Sequence, residues 1–147
     1  MIGAFVMVMR QKALVPAAQL DERKQQIRLF WDAYNSARSL RTRKEYEPAA
    51  REYERALEID PQHEDSLYYL GSCLLEVGEY EKAVQVYERL VILNPRSNRG
   101  LSQLGLLLST PAPGAVLNLE RARQMFERVS EVNQEESGPF LRLGQLL

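Results

Sequence analysis

A single histidine, a single cysteine and a single tryptophan in 147 residues leave this chain short of the side chains on which most enzyme chemistry rests. The lone cysteine excludes an internal disulfide and suits a reducing, cytoplasmic setting. Cys73 falls on an apolar helical pattern, where packing rather than thiol reactivity is expected. His63 falls in a turn between two helical segments and reads as a polar turn residue, not a general base. No set of Cys and His has metal-ligand spacing. A phosphate-cradling glycine loop is also missing, because Gly71, Gly105 and Gly144 lie inside helical patterns. Neither charge sign dominates: 19 basic residues stand against 20 acidic ones, a net charge of −1, which disfavours non-specific nucleic-acid binding. Long hydrophobic runs are lacking as well. Met1 to Met9 is apolar, but so short a run cannot span a bilayer, and Arg10 and Lys12 follow it where a secretory signal has its charges first. Residues 1–19 therefore read as a leader, either disordered or packed on a neighbour. The expectation is a protein that is not an enzyme, needs no cofactor or metal, and neither binds nucleic acid nor inserts in a membrane.

What is present is a period. Leu67, Leu70, Gly71 and Leu74 fall at i, i+3, i+4 and i+7, one stripe of a 3.6-residue helix. Tyr80, Ala83, Tyr87 and Leu90 form a second stripe that closes on Pro95. Stepping back 34 residues gives Tyr46, Ala49, Tyr53, Ala56 and Pro61, and stepping forward 34 gives Leu101, Leu104 and Gly105. Such a period marks small units that cannot bury their apolar faces alone and become stable by stacking. Gly71 weakens its helix, so close approach of a partner helix is its expected purpose. Gly78 is the left-handed stop after the first helix of the middle unit. Asp60-Pro61 and Asn94-Pro95 end the second helices, because the residue before proline is pushed out of the helical region. Glu45, Glu47, Glu52 and Glu54 alternate with basic residues and read as a solvated face.

These residues resemble the tetratricopeptide repeat, W-x2-L-G-x2-Y, then A-x3-F, then P. Here the pattern reads Leu67-x2-Leu70-Gly71-x2-Leu74, Ala83-x3-Tyr87, Pro95. The resemblance covers Phe30 to the last residue and implies an all-α fold, a right-handed solenoid of antiparallel helix pairs, about seven helices, with a concave groove for proteins or peptides. The array is expected over 20–147: repeat 1 at 30–63, repeat 2 at 64–97, repeat 3 at 98–136 and the first helix of a truncated repeat 4 at 137–147.

The copies differ. In the first, Ser36-Ala37 replaces Leu70-Gly71 and the bulk moves to Phe30, Trp31 and Tyr34, on a helix expected to run from an Asp21 cap to about Arg43 and to cover the open end. The third copy carries five extra residues around Pro111-Ala112-Pro113-Gly114, expected as an elongated inter-helix loop, and Gln134 where the terminal proline stands elsewhere. Phe140, Leu143, Gly144 and Leu147 repeat the first-helix spacing, with Leu141 and Leu146 leaving that helix apolar on more than one side. Two readings stay open: a piece of a longer array, or a terminal helix buried by a second copy in a homodimer.

If the family geometry applies, the groove is lined by Trp31, Tyr34, Asn35, Arg38 and Arg41 in the first copy. Tyr68, Tyr69 and Ser72 follow in the second, Arg99, Ser102 and Gln103 in the third, and Leu141 and Arg142 at the end. Aromatic and arginine side chains suit an extended peptide with acidic and apolar residues. The alternative for Trp31 and Tyr34 is packing of the first helix against the leader. Some family members clamp the C-terminal carboxylate of chaperone tails with two basic residues and two asparagines. This chain has Tyr34, Arg38, Tyr69, Arg99 and Gln103 at those places, without the asparagines, so that clamp is not expected. The function expected is a protein-interaction module; the alternatives are self-assembly through the array's ends, or a regulatory segment of a larger protein.

Overall fold

A computed structural model describes residues 14–111, 114 and 116–145, with side chains described as far as residue 136. Among these residues there are six helices and no strand: α1 (Ala17–Thr42), α2 (Tyr46–Ile59), α3 (Glu64–Glu76), α4 (Tyr80–Leu93), α5 (Asn98–Ser109) and α6 (Leu119–Gln145). They pack in chain order, each against the next, as stacked antiparallel hairpins.

The 34-residue period is visible in the core. Tyr53 and Tyr87 are fully buried at equivalent positions of α2 and α4, and so are Ala49 and Ala83. Leu67 and Leu101, Leu70 and Leu104, and Leu74 and Leu108 are buried at equivalent positions of α3 and α5. Gly71 faces the Tyr87 ring so closely that a Cβ built there would lie 2.6 Å from its Cζ, and a Cβ on Gly105 would lie 2.9 Å from the Phe126 ring. Glycine costs a helix about 1 kcal/mol, whereas burying a large apolar side chain returns roughly 1.5–3 kcal/mol, so the ring in the gap wins.

Helix ends follow from local chemistry. His63 Nδ1 accepts the Ser66 N–H (3.2 Å) and Ser97 Oγ accepts the Gly100 N–H (3.2 Å), capping α3 and α5. The α1–α2 and α3–α4 turns share one hydrogen-bond pattern. Glu79 N–H donates to Leu74 O and Gly78 N–H to Leu75 O, matching Glu45 N–H to Leu40 O and Lys44 N–H to Arg41 O. Gly78 has φ +80° as its turn requires, and Lys44 takes φ +62° at the equivalent place. The long connection after α5 is closed at its base by Asn118 N–H to Leu108 O (2.8 Å), and the Asn118 side chain accepts the Arg121 N–H (3.0 Å) to start α6.

Three expectations change. The first helix starts at Ala17, with Pro16 rather than Asp21 at its cap, so residues 17–19 are helix and not leader. Its first half does not cover the end of the stack: Ala17 to Leu29 is exposed throughout, and burial begins at Phe30. The expected break between repeat 3 and residues 137–147 is absent, because α6 runs unbroken to Gln145. Gln134 supplies no proline stop there. Hydrogen bonds from Asn98 Nδ2 to Asn133 Oδ1 (2.8 Å) and from Arg128 to Pro95 O (3.0 Å), with the Arg96–Glu135 ion pair, also tie α6 to the α4–α5 turn. The expected leader at residues 1–13 lies outside the described residues. No helix among the described residues is long and apolar enough to cross a membrane.

Candidate interaction surface

Helices α1, α3 and α5 carry the residues that sequence reasoning placed in a groove, and the structure joins six of them into one run. Trp31 meets Tyr34 edge-on, with ring centres 5.6 Å apart, and Tyr34 meets Tyr53 at 5.9 Å. Tyr53 stacks on Tyr69 (6.0 Å), Tyr69 meets Tyr68 (5.3 Å), and Tyr68 meets Tyr87 (6.1 Å). Two arginines lie on this aromatic path. Arg41 sits 4.2 Å from the Tyr69 ring centre, and Arg99 sits 4.7 Å from that of Tyr68.

The two arginines differ in charge balance. Arg99 is ion-paired with Asp65, one turn before Tyr68 on α3, so its charge is largely answered within the fold. Arg41 donates from Nε to the Tyr53 hydroxyl (3.3 Å), a neutral partner, and makes no ion pair with a carboxylate among the described residues. Burial pushes the Tyr53 phenol up, so the partner stays uncharged. Burial is the largest single influence and works against the Arg41 charge, but the Tyr53 hydrogen bond together with the electrostatic influence of Tyr53, Tyr69 and Cys73 outweighs it and holds the guanidinium above its usual value. Arg38 is exposed on the next turn of α1, close enough to Tyr34 to act on its phenol, which burial and Asp65 push upward. The result is a cationic patch on an aromatic bed.

The remaining expected residues stand apart from this run. Asn35 is exposed on α1, while Ser72, Ser102 and Gln103 are half-buried on α3 and α5. Leu141 and Arg142 lie on α6 where side chains are outside the described residues. Sequence reasoning missed Tyr53, Asp65 and His63. Tyr53 reads from sequence only as a core residue, yet its hydroxyl positions Arg41. His63 lies in the turn between α2 and α3 as expected, and it also caps α3, with its ring meeting Phe30 (4.8 Å), Tyr34 (5.2 Å) and Trp31 (6.3 Å). Trp31 and Tyr34 thus pack against the first inter-repeat turn, which carries His63, and a cleft of about 510 Å3 lies between this turn and α1.

Hairpins that stack in register and present one aromatic-basic face define an α-solenoid of helix pairs. Residues 34–98 match the tetratricopeptide repeat (TPR) family model, so this stretch carries tetratricopeptide repeats. No curated protein matches it in sequence. Among solved structures it is similar to MamA, at 20% identity and a TM-score of 0.66, over 74% of this chain and 61% of that one. It therefore spans less than two thirds of MamA. It is also similar to the second TPR of Spaghetti (RPAP3) bound to HSP90 peptide SRMEEVD, at 18% identity and a TM-score of 0.62, over 76% of this chain and 98% of that one. A third similarity is to the Yersinia enterocolitica type III secretion translocator chaperone SycD, at 19% identity and a TM-score of 0.60, over 79% and 83% of the two chains. At these identities the likeness establishes the fold.

Proposed function

We propose that this protein is a non-catalytic interaction module that holds an extended peptide of acidic and apolar residues along the face formed by Arg38, Arg41, Tyr68, Tyr69 and Arg99. The observation that carries the reading is Arg41: a guanidinium fixed over Tyr69 by a neutral hydroxyl, without a carboxylate partner among the described residues. A fixed cation on aromatic rings suits a carboxylate flanked by an apolar side chain, because little ordering is left to do on binding. The similar RPAP3 domain is bound to an acidic peptide, which agrees with this chemistry. The asparagines of the chaperone-tail clamp are not present here, so the reading favours internal acidic side chains over a C-terminal carboxylate.

The test is fluorescence anisotropy with a labelled library of peptides that alternate Glu or Asp with Leu or Met. Arg41→Ala is expected to weaken the best binder by roughly tenfold or more, the loss typical of one charged hydrogen-bonded contact. Arg99→Ala is expected to cost less, since Asp65 already holds that side chain. Equal affinity for the wild type, Arg41→Ala and the Tyr68→Ala/Tyr69→Ala double variant would remove this face from the account.

A further inference from the structure

The outer face of the last hairpin is built to receive another helix, and the chain contains a segment with the pattern to fill it. Helices α2 and α4 are each covered on one side by the first helix of the next hairpin, leaving Tyr53 and Tyr87 with no exposed surface. Phe126, their equivalent on α6, is 41% exposed, and Leu119, equivalent to Tyr46 and Tyr80, is 64% exposed. Leu119, Ala122, Arg123, Phe126 and Ser130 line an open notch of about 520 Å3 on that side.

The leucine and glycine pattern by which α3 and α5 are buried in the stack recurs in 137–147, while buried Ser66 and Gly100 are matched by Pro139. Leu67, Leu70, Gly71, Cys73 and Leu74 on α3 match Leu101, Leu104, Gly105, Leu107 and Leu108 on α5, all buried. The same spacing in the tail falls on Phe140, Leu143, Gly144, Leu146 and Leu147. In the structure, however, this segment is not a separate helix folded back on the notch. It prolongs α6 to Gln145, so Phe140 lies about 15 Å further along the axis than Ser130, at 1.5 Å per residue. A continuous helix cannot turn back to cover its own flank.

We propose that a second copy of this chain supplies the missing cover: two molecules pair by each laying residues 137–147 into the other's notch over Leu119 and Phe126. The arrangement is reciprocal and closes after two copies, the usual form of a symmetric contact. Its strength is limited by the notch itself. Arg123 and Ser130 stand where Ala50 and Leu57, or Val84 and Val91, are buried in the inner hairpins, so the seat is only partly apolar and the dimer is reversible. This pairing uses a different surface from the Arg41 face and does not depend on the peptide-binding reading.

The experiment is sedimentation velocity of the 147-residue chain over a wide concentration range, with two variants that leave the described core untouched. Leu143→Glu alters the tail, and Leu119→Glu alters the exposed rim of the notch; thermal melts confirm that both fold. The wild type is expected to pass from monomer to dimer with concentration, and each variant alone to remain monomeric. Mixing the two variants is expected to restore association, because the intact tail of Leu119→Glu fits the intact notch of Leu143→Glu. A wild type that stays monomeric throughout overturns the proposal. So does association that survives both single changes, or two folded variants that fail to recombine, the signature of tails pairing with each other instead.

Discussion

At the scale of single residues, the packing of this protein turns on rings set into gaps left by small side chains. The Tyr87 ring fills the space over Gly71 and is itself fully buried. Gly71→Ala should therefore lower stability by about 1–3 kcal/mol, the usual cost of overpacking, despite alanine's better helix propensity. Chemical denaturation measures this, and an unchanged or raised midpoint would mean that Tyr87 gives way at no cost. Burial also acts on ionisable groups. It pushes the Cys73 thiol from 9.0 up to about 11, and raises the Tyr53 and Tyr87 phenols. Because the folded-state values are raised, the associated stability is complete below the unfolded-state values and is lost as pH rises through the folded ones. For Cys73 that window runs from about 9 to about 11. The melting temperature should fall across it, and Cys73→Ala should reduce the fall. A melting temperature independent of pH in that interval counts against a closed core around these groups.

At the scale of helices and turns, the same hairpin turn is built twice with different residues. Gly78 adopts its positive φ freely, whereas Lys44 adopts φ +62° against the preference of a residue with a Cβ. Lys44→Gly removes that strain but adds backbone freedom to the unfolded chain, which leaves an expected gain of roughly 0.5–1 kcal/mol. A differential-scanning measurement should show a higher melting temperature for this variant. A lower one would indicate that the lysine side chain makes a contact worth more than the strain. The contrast between Pro95 and Gln134 works similarly. The second helix of the middle repeat ends at Leu93, just before Asn94-Pro95, whereas α6, with Gln134 at the equivalent place, runs on through Gly138 and Pro139 to Gln145.

At the scale of the whole molecule, each hairpin leans only on its neighbours, so stability should vary along the stack rather than being shared evenly. The middle hairpin is covered on both sides, while Ala17 to Leu29 touches little else. Amide hydrogen exchange is expected to be slowest in α3 and α4 and fastest in the first half of α1, where an isolated segment of that length holds little helix by itself. Protection over Ala17–Leu29 equal to that of α3 would show that the projecting half is covered by another body in solution. Charge is uneven too. Five basic residues against two acidic ones before Phe30 contrast with three against six between Glu64 and Ser97.

The amino-acid sequence by itself determined the repeat. The spacing of Leu67, Leu70, Gly71 and Leu74, and its recurrence at a fixed interval, leaves the chain no other way to bury its apolar stripes. Proline and glycine punctuation placed the turns within a residue or two, because those constraints act over a few bonds. Register carries position from one copy to the next, and six of the residues expected in a groove, Trp31, Tyr34, Arg41, Tyr68, Tyr69 and Arg99, do meet in one run. Only the tertiary structure decided what surrounds each of them. That Arg41 is held by Tyr53, with no counter-ion among the described residues, that Arg99 is answered by Asp65, and that His63 caps a helix among three rings depend on packing between elements. Likewise α6 runs past the expected repeat boundary and through Pro139, and the bonds that tie its earlier turns to the α4–α5 turn come from residues distant in sequence, which no local pattern encodes.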